Sequence, residues 1–200
     1  PLFRSATNDF PANTLKELIA MARAKPGLQN ASWGNGSTGH FCGELLSQKR
    51  QMQMSHVPYK SVAQVTTDMF GGHIKLAFVD MATGSPLVKA GRMKALASCV
   101  SRTPNLPELV SYDDEGIDFD GMKVQPPMWG VYAPAATPRP IIDKLSGALK
   151  QVLDMPDVKS KLLEYGVTVA FMGGDELRES LKANIESWKA VAKAGNITMD

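Results

Sequence analysis

A short run, Leu28 to Ser32, leads through the glycine-rich turn Gly34-Asn35-Gly36 into a helix opening at Ser37-Thr38. This strand–turn–helix unit constrains the chain most, because the pattern recurs along it. Thr14 to Glu17 is a capping box, with Leu15, Leu18, Ile19 and Ala22 on one helical face and Pro26-Gly27 as the stop. The helix after the turn runs from Thr38 to about Lys49. Met52 to Val57 reads as a strand that Pro58 keeps from being a central one. Val62 to Phe70 is a helix closed by Gly71-Gly72, and His73 to Val79 is a strand in which Ile74, Leu76 and Phe78 alternate. A short helix around Leu87 to Ala90 and a strand from Lys94 to Ser98 follow. Strands alternating with helices imply an α/β fold with largely parallel strands.

From Arg102 to Pro127 the pattern breaks. Four prolines and the acidic run Asp113-Asp114-Glu115 read as a long connection between lobes. Beyond it, Trp129 to Ala133 and Val167 to Phe171 are expected as strands. Helices are expected from Pro138 to about Leu153, Pro156 to Tyr165 and Asp175 to Ala194. At the front, Pro1-Leu2-Phe3-Arg4 leads into a polar turn without the basic and apolar regions of a signal peptide.

The turn carries the chemistry. Glycine lets backbone approach a ligand, and a Ser or Thr cap leaves N–H groups facing outward at the positive end of the helix dipole. Gly34, Asn35, Gly36, Ser37 and Thr38 therefore read either as a candidate anion seat, with Ser37 and Thr38 as hydroxyl donors, or as an ordinary strand–turn–helix connection with a Ser/Thr cap. In α/β sheets ligands bind beyond the C-terminal strand ends, which adds Asp80, at the end of its own strand. Asp80 either accepts bonds from a ligand or caps Thr83-Gly84. His40 either touches ligand or packs against backbone. Lys60 reads as a solvated loop lysine, Trp129 as a packing residue between lobes, and Met52, Met54, Met69 and Met81 as core fillers.

Composition removes several classes. With 44% apolar and 21% charged residues the chain is globular, and a net charge of +2 without basic runs gives no support to nucleic-acid binding. No apolar stretch approaches the ~18 residues of a membrane span. Cys42 and Cys99 read as buried small residues rather than a bridge, although pairing cannot be decided without geometry. An enzyme is the competing class, since His40, Cys42, Glu44 and His56 invite a metal or Cys–His reading. His40 and Cys42, two apart on a helix, point apart, and neither zinc spacing nor a nucleophile elbow is present. The reading is a binder with no cofactor and no metal.

The segments GNGSTGH, HVPYKS, TTDMFGGHIKLAFVD, VKAGRMKALAS and WGVYAPAATPRPIIDKL occur in that order. Together they resemble the tripartite tricarboxylate transporter receptors, the Bug or TctC-type solute-binding proteins. Ser61 replaces the glycine usual after HVPYK, and Pro107 to Ser111 departs from the family pattern. The resemblance implies a two-lobed periplasmic-binding-protein-like (type II) fold that closes on its ligand. Pro1 to Gln125 would be the second lobe and Pro126 to Asp200 the returning part of the first, whose N-terminal portion is not in this chain. It further implies a periplasmic receptor that captures a small mono- or dicarboxylate for a membrane permease. A truncated, non-binding remnant or a sensor or scaffold protein is the alternative.

Overall fold

A computed structural model describes residues 2–99, 101–117 and 129–197. Five strands make one sheet: β1 (Leu2–Ala6), β2 (Leu28–Ser32), β3 (Met54–Pro58), β4 (Leu76–Asp80) and β5 (Lys94–Ser98), in the order β3-β2-β4-β1-β5. β2 pairs parallel with both β3 and β4, whereas β1 runs antiparallel between β4 and β5. The sheet is thus mixed rather than largely parallel. The difference arises from β1, where sequence reading placed no strand, only a lead into a polar turn. Its five residues are all buried, and it pairs with strands 70 or more positions away.

Helices cover both faces. α1 (Leu15–Ala24), α2 (Thr38–Lys49) and the last helix α7 (Gly174–Ala194) pack over one face. α3 (Val62–Phe70) and α4 (Met81–Lys89) pack over the other. The period of two in each strand divides the side chains: Leu2, Leu76 and Phe78 enter the first core with Leu15, Leu18, Leu45 and Leu46. Phe3, Ala77 and Val79 enter the second with Val65, Met69, Met81 and Met93. Each large aliphatic or aromatic side chain so buried contributes roughly 1.5–3 kcal/mol. Met52, Met69 and Met81 are core residues, as expected, and Met54 packs partly buried against the first core.

The first core also holds a charge. Arg4 is 0% exposed; its Nη1 donates to Asn30 Oδ1 at 2.7 Å and its guanidinium lies 4.3 Å from the centroid of Phe78. The flat cation is accommodated by stacking on an aromatic face.

Several local expectations are corrected. α4 starts at Met81, not near Leu87, because Asp80 caps it and Pro86 is accommodated inside it. Cys42 and Cys99 form a disulfide rather than standing as separate buried thiols. Trp129 to Ala133 and Val167 to Phe171 are not strands; Trp129 is 83% exposed instead of packed between lobes. β propensity needs a neighbouring strand to accept its hydrogen bonds, and none of the described strands lies beside either segment. α5 (Arg139–Asp154) and α6 (Pro156–Glu164) form where expected but bury no residue, leaving Ile141, Leu145, Val152 and Leu163 exposed. The connection after Ser98 folds back so that Ser111 bridges to Ser98 and the Tyr112 hydroxyl donates to the Cys42 carbonyl at 3.3 Å. Its continuation through Pro127, with the expected lobe boundary at Gln125, lies outside the described residues.

Candidate functional site

Because β2, β3 and β4 are mutually parallel, their C-terminal ends lie along one edge of the sheet. Three helix N-termini follow from those ends, capped by Ser37 on α2, Ser61 on α3 and Asp80 on α4. The edge therefore gathers the positive ends of three helix dipoles.

The glycine turn takes the conformation its sequence predicts. Gly36 has φ +68°, in the left-handed region that side-chain-bearing residues avoid. Gly39 brings the first turn of α2 against the strand end; a Cβ there would lie 3.0–3.1 Å from Phe78, Trp33 and Ser32. Ser37 Oγ accepts the His40 N–H at 3.2 Å, an N-cap bond, and lies 3.0 Å from Ser32 Oγ. Ser32, fully buried at the end of β2, also reaches the Gly34 carbonyl at 3.1 Å and His56 Nε2 at 2.7 Å. The Tyr59 N–H donates to the Ser32 carbonyl at 2.8 Å, stitching β3 to this corner.

Two histidines complete the arrangement. The rings of His40 and His56 are stacked, centroids 3.6 Å apart and planes 10° from parallel. The Gly36 N–H donates to His40 Nδ1 at 3.2 Å, which leaves the His40 proton on Nε2. Burial holds the His40 pKa below its usual value. Burial, and then the neighbouring His40, bring His56 down to about 4. Both rings are neutral at pH 7.

The sequence-selected residues thus fall into three groups. Gly34, Asn35, Gly36, Ser37, Thr38 and His40 are brought together, but Ser37 and the Gly36 N–H already have partners within the chain. Among the described residues, the N–H groups of Thr38 and Gly39 and the Thr38 hydroxyl take no partner at the helix start, where Thr38 is half-buried and Gly39 buried. Asp80 lies on the same edge, with Oδ1 accepting the Thr83 N–H and Oδ2 the Thr83 hydroxyl, both at 2.9 Å. Both its oxygens serve the cap. Lys60 is exposed.

Ser32, His56 and Tyr59 were not selected from the sequence as ligand candidates. The HVPY segment carried two of them. What was missing was the parallel pairing of β2 with β3, which places Asn30 beside His56 and Ser32 beside Pro58.

Two hollows among the described residues lie away from the turn: about 460 Å³ along α3 between Tyr59, Gln64 and Asp68, and about 250 Å³ between α5 and the start of α7. No group of three His, Cys, Asp or Glu among the described residues is placed to hold a metal ion. Cys42 is consumed in the disulfide, so it offers no thiolate to His40.

The α/β fold matches solved periplasmic binding proteins, of which it covers about two thirds. The chain is similar to the structure of periplasmic binding protein BugD, 25% identical with a TM-score of 0.80, covering 100% of this chain and 67% of that one. A second structure, R. palustris Rpa4515 with adipate, is 27% identical with a TM-score of 0.82, covering 99% and 66%. The family described as tripartite tricarboxylate transporter family receptor matches residues 2–197, and the chain belongs to it. A relative from Cupriavidus necator, the UPF0065 protein in gbd 5'region, is 29% identical over 92% of this chain and 55% of its own length. The chain spans about half the length of the curated relatives it matches.

Proposed function

We propose that this chain supplies the carboxylate-gripping part of a periplasmic solute-binding receptor serving a tripartite tricarboxylate-type permease. Residues 1–125 would act as the gripping lobe and 126–200 as the returning part of the other lobe, with closure between them burying the ligand. The observation that carries the reading is the start of α2, where the Thr38 and Gly39 N–H groups and the Thr38 hydroxyl stand unpartnered on the strand-end edge. Such a start attracts an anion through both its donors and the helix dipole. That chemistry, and the adipate that accompanies the 27%-identical R. palustris structure, support a carboxylate as the ligand class. Binding would be reversible, with no bond made or broken and no cofactor. The Cys42–Cys99 disulfide suits an oxidising compartment, which supports the periplasmic assignment.

Titration calorimetry with adipate, succinate and acetate tests the reading. Thr38→Val keeps the side-chain shape but removes the hydroxyl. A lost charge-assisted hydrogen bond is worth roughly 1.5–3 kcal/mol, a tenfold to hundredfold weaker Kd for the dicarboxylates. Equal affinity in the variant would remove Thr38 from the site, and no binding by the parent chain would favour a remnant without receptor activity.

A further inference from the structure

The donor best placed at the glycine turn, the Gly36 N–H, is already occupied by a side chain of the same helix. His40 Nδ1 takes it at 3.2 Å, so the imidazole fills the place an anion's oxygen would otherwise take. The ring is held there from behind by the stacked His56, which Ser32 fixes through Nε2 at 2.7 Å. Ser32 and His56 are thus positioning residues for His40. We propose that this pair makes carboxylate capture at the turn proton-coupled: the carboxylate takes over the Gly36 N–H, and His40 Nδ1, released, binds a proton from solvent and remains beside the anion as imidazolium. The inference rests on the carboxylate seat argued above.

Charge and atoms balance as one carboxylate plus one solvent proton bound, with a single N–H bond formed at Nδ1. Only one ring charges, because two stacked cations 3.6 Å apart repel. The partner that charges is His40, since its Nδ1 is the atom released beside the anion once the carboxylate takes the Gly36 N–H. Apart from Lys60, which is exposed after β3, the other ionisable groups on the surrounding elements have their own neighbours. Arg4 on β1 bonds Asn30 and bears on Glu44 of α2, whose carboxyl burial pushes up. Asp80 on β4 holds Thr83, and Tyr59 and Asp68 bond each other. On α7, Lys182 pairs with Glu179 and Lys189 with Glu186. No carboxylate of the fold among the described residues therefore stands in for the ligand as counter-charge to His40.

The sign follows from linkage. Burial keeps free His40 below its ordinary pKa, and a bound carboxylate raises it. Between those two values, affinity falls as pH rises, by at most about tenfold per pH unit for one proton. Above the bound-state value it levels off.

Adipate calorimetry on this chain at several pH values above the range where adipate itself titrates, each in two buffers of different ionisation enthalpy, reads the uptake directly. The expected result is proton uptake that approaches one per adipate and declines with rising pH. In His40→Gln, which presents an acceptor to Gly36 but does not titrate, uptake vanishes and the Kd becomes flat with pH. His56→Gln leaves the titrating ring in place and retains uptake; loss of uptake there would overturn the assignment of the proton to His40. Adipate binding by the parent chain without uptake overturns the coupling and leaves the carboxylate seat intact. An unchanged pH profile in His40→Gln also overturns it. Failure of adipate, succinate and acetate alike to bind overturns both.

Discussion

Breaking the Cys42–Cys99 bond offers the sharpest test of how the sheet and α2 are held together. The bond joins α2, which presents the glycine turn, to the residue just beyond edge strand β5 across a separation of 57 residues. Closing a loop of that length removes denatured-state entropy worth about 4 kcal/mol at 25 °C in the chain-entropy treatment. For a chain of this size each kcal/mol moves Tm by about 2–4 °C, so the expected drop is about 8–16 °C. Both sulfurs lie in the first core, and the Cys42 carbonyl receives the Tyr112 hydroxyl, so the loss extends to the loop around Tyr112. The measurement is a pair of thermal melts by circular dichroism, with and without a phosphine reductant. Cys42→Ala/Cys99→Ala serves as the second arm, because alanine avoids burying new hydroxyls. Thiol titration of the native protein should find neither cysteine free. A shift below about 3 °C in both arms would refute the loop-entropy reasoning, and two titratable thiols would refute the bond itself.

Two further outcomes are expected. Ser37→Ala removes the N-cap of α2 and should cost about 1 kcal/mol of stability, read as a lower urea midpoint; an unchanged midpoint would mean that backbone alone sets the helix start. His56, neutral in the fold with a pKa of about 4 against an ordinary 6.5, favours protonation only after unfolding. Stability is therefore fully present above about pH 6.5 and falls toward pH 4, by at most about 3 kcal/mol. His56→Gln should flatten that limb of the urea midpoint against pH, and an equal acid loss in the variant would assign it to other groups.

Much of the site was legible because its determinants are local. Thr14 accepts the Glu17 N–H at 3.2 Å, and Ser37 the His40 N–H at the same distance. Each bond spans three residues, so the sequence alone set those helix starts. The bounds of β2 and α2 match the glycine turn between them, and Pro58 lies in an edge strand, where its missing N–H is tolerated. The five ordered segments also carried the family, which the match over residues 2–197 supports.

What tertiary structure alone decided has its partners far along the chain. β1 is a strand because β4 and β5 flank it, although it carries a charged residue, Arg4, at its middle; Phe78 and Asn30 make its burial possible. Trp129 to Ala133 and Val167 to Phe171 have strand-like composition but none of the described strands beside them, and remain irregular. The same holds for the turn. Its glycines and cap are written in consecutive residues, whereas the stacking of His56 on His40 requires β3 to lie parallel beside β2. Sequence determined which bonds close within a few residues. Strand pairing, the disulfide and the histidine stack were decided by surfaces that meet only after folding, because their stabilisation is gained only once the entropy of bringing distant segments together has been offset.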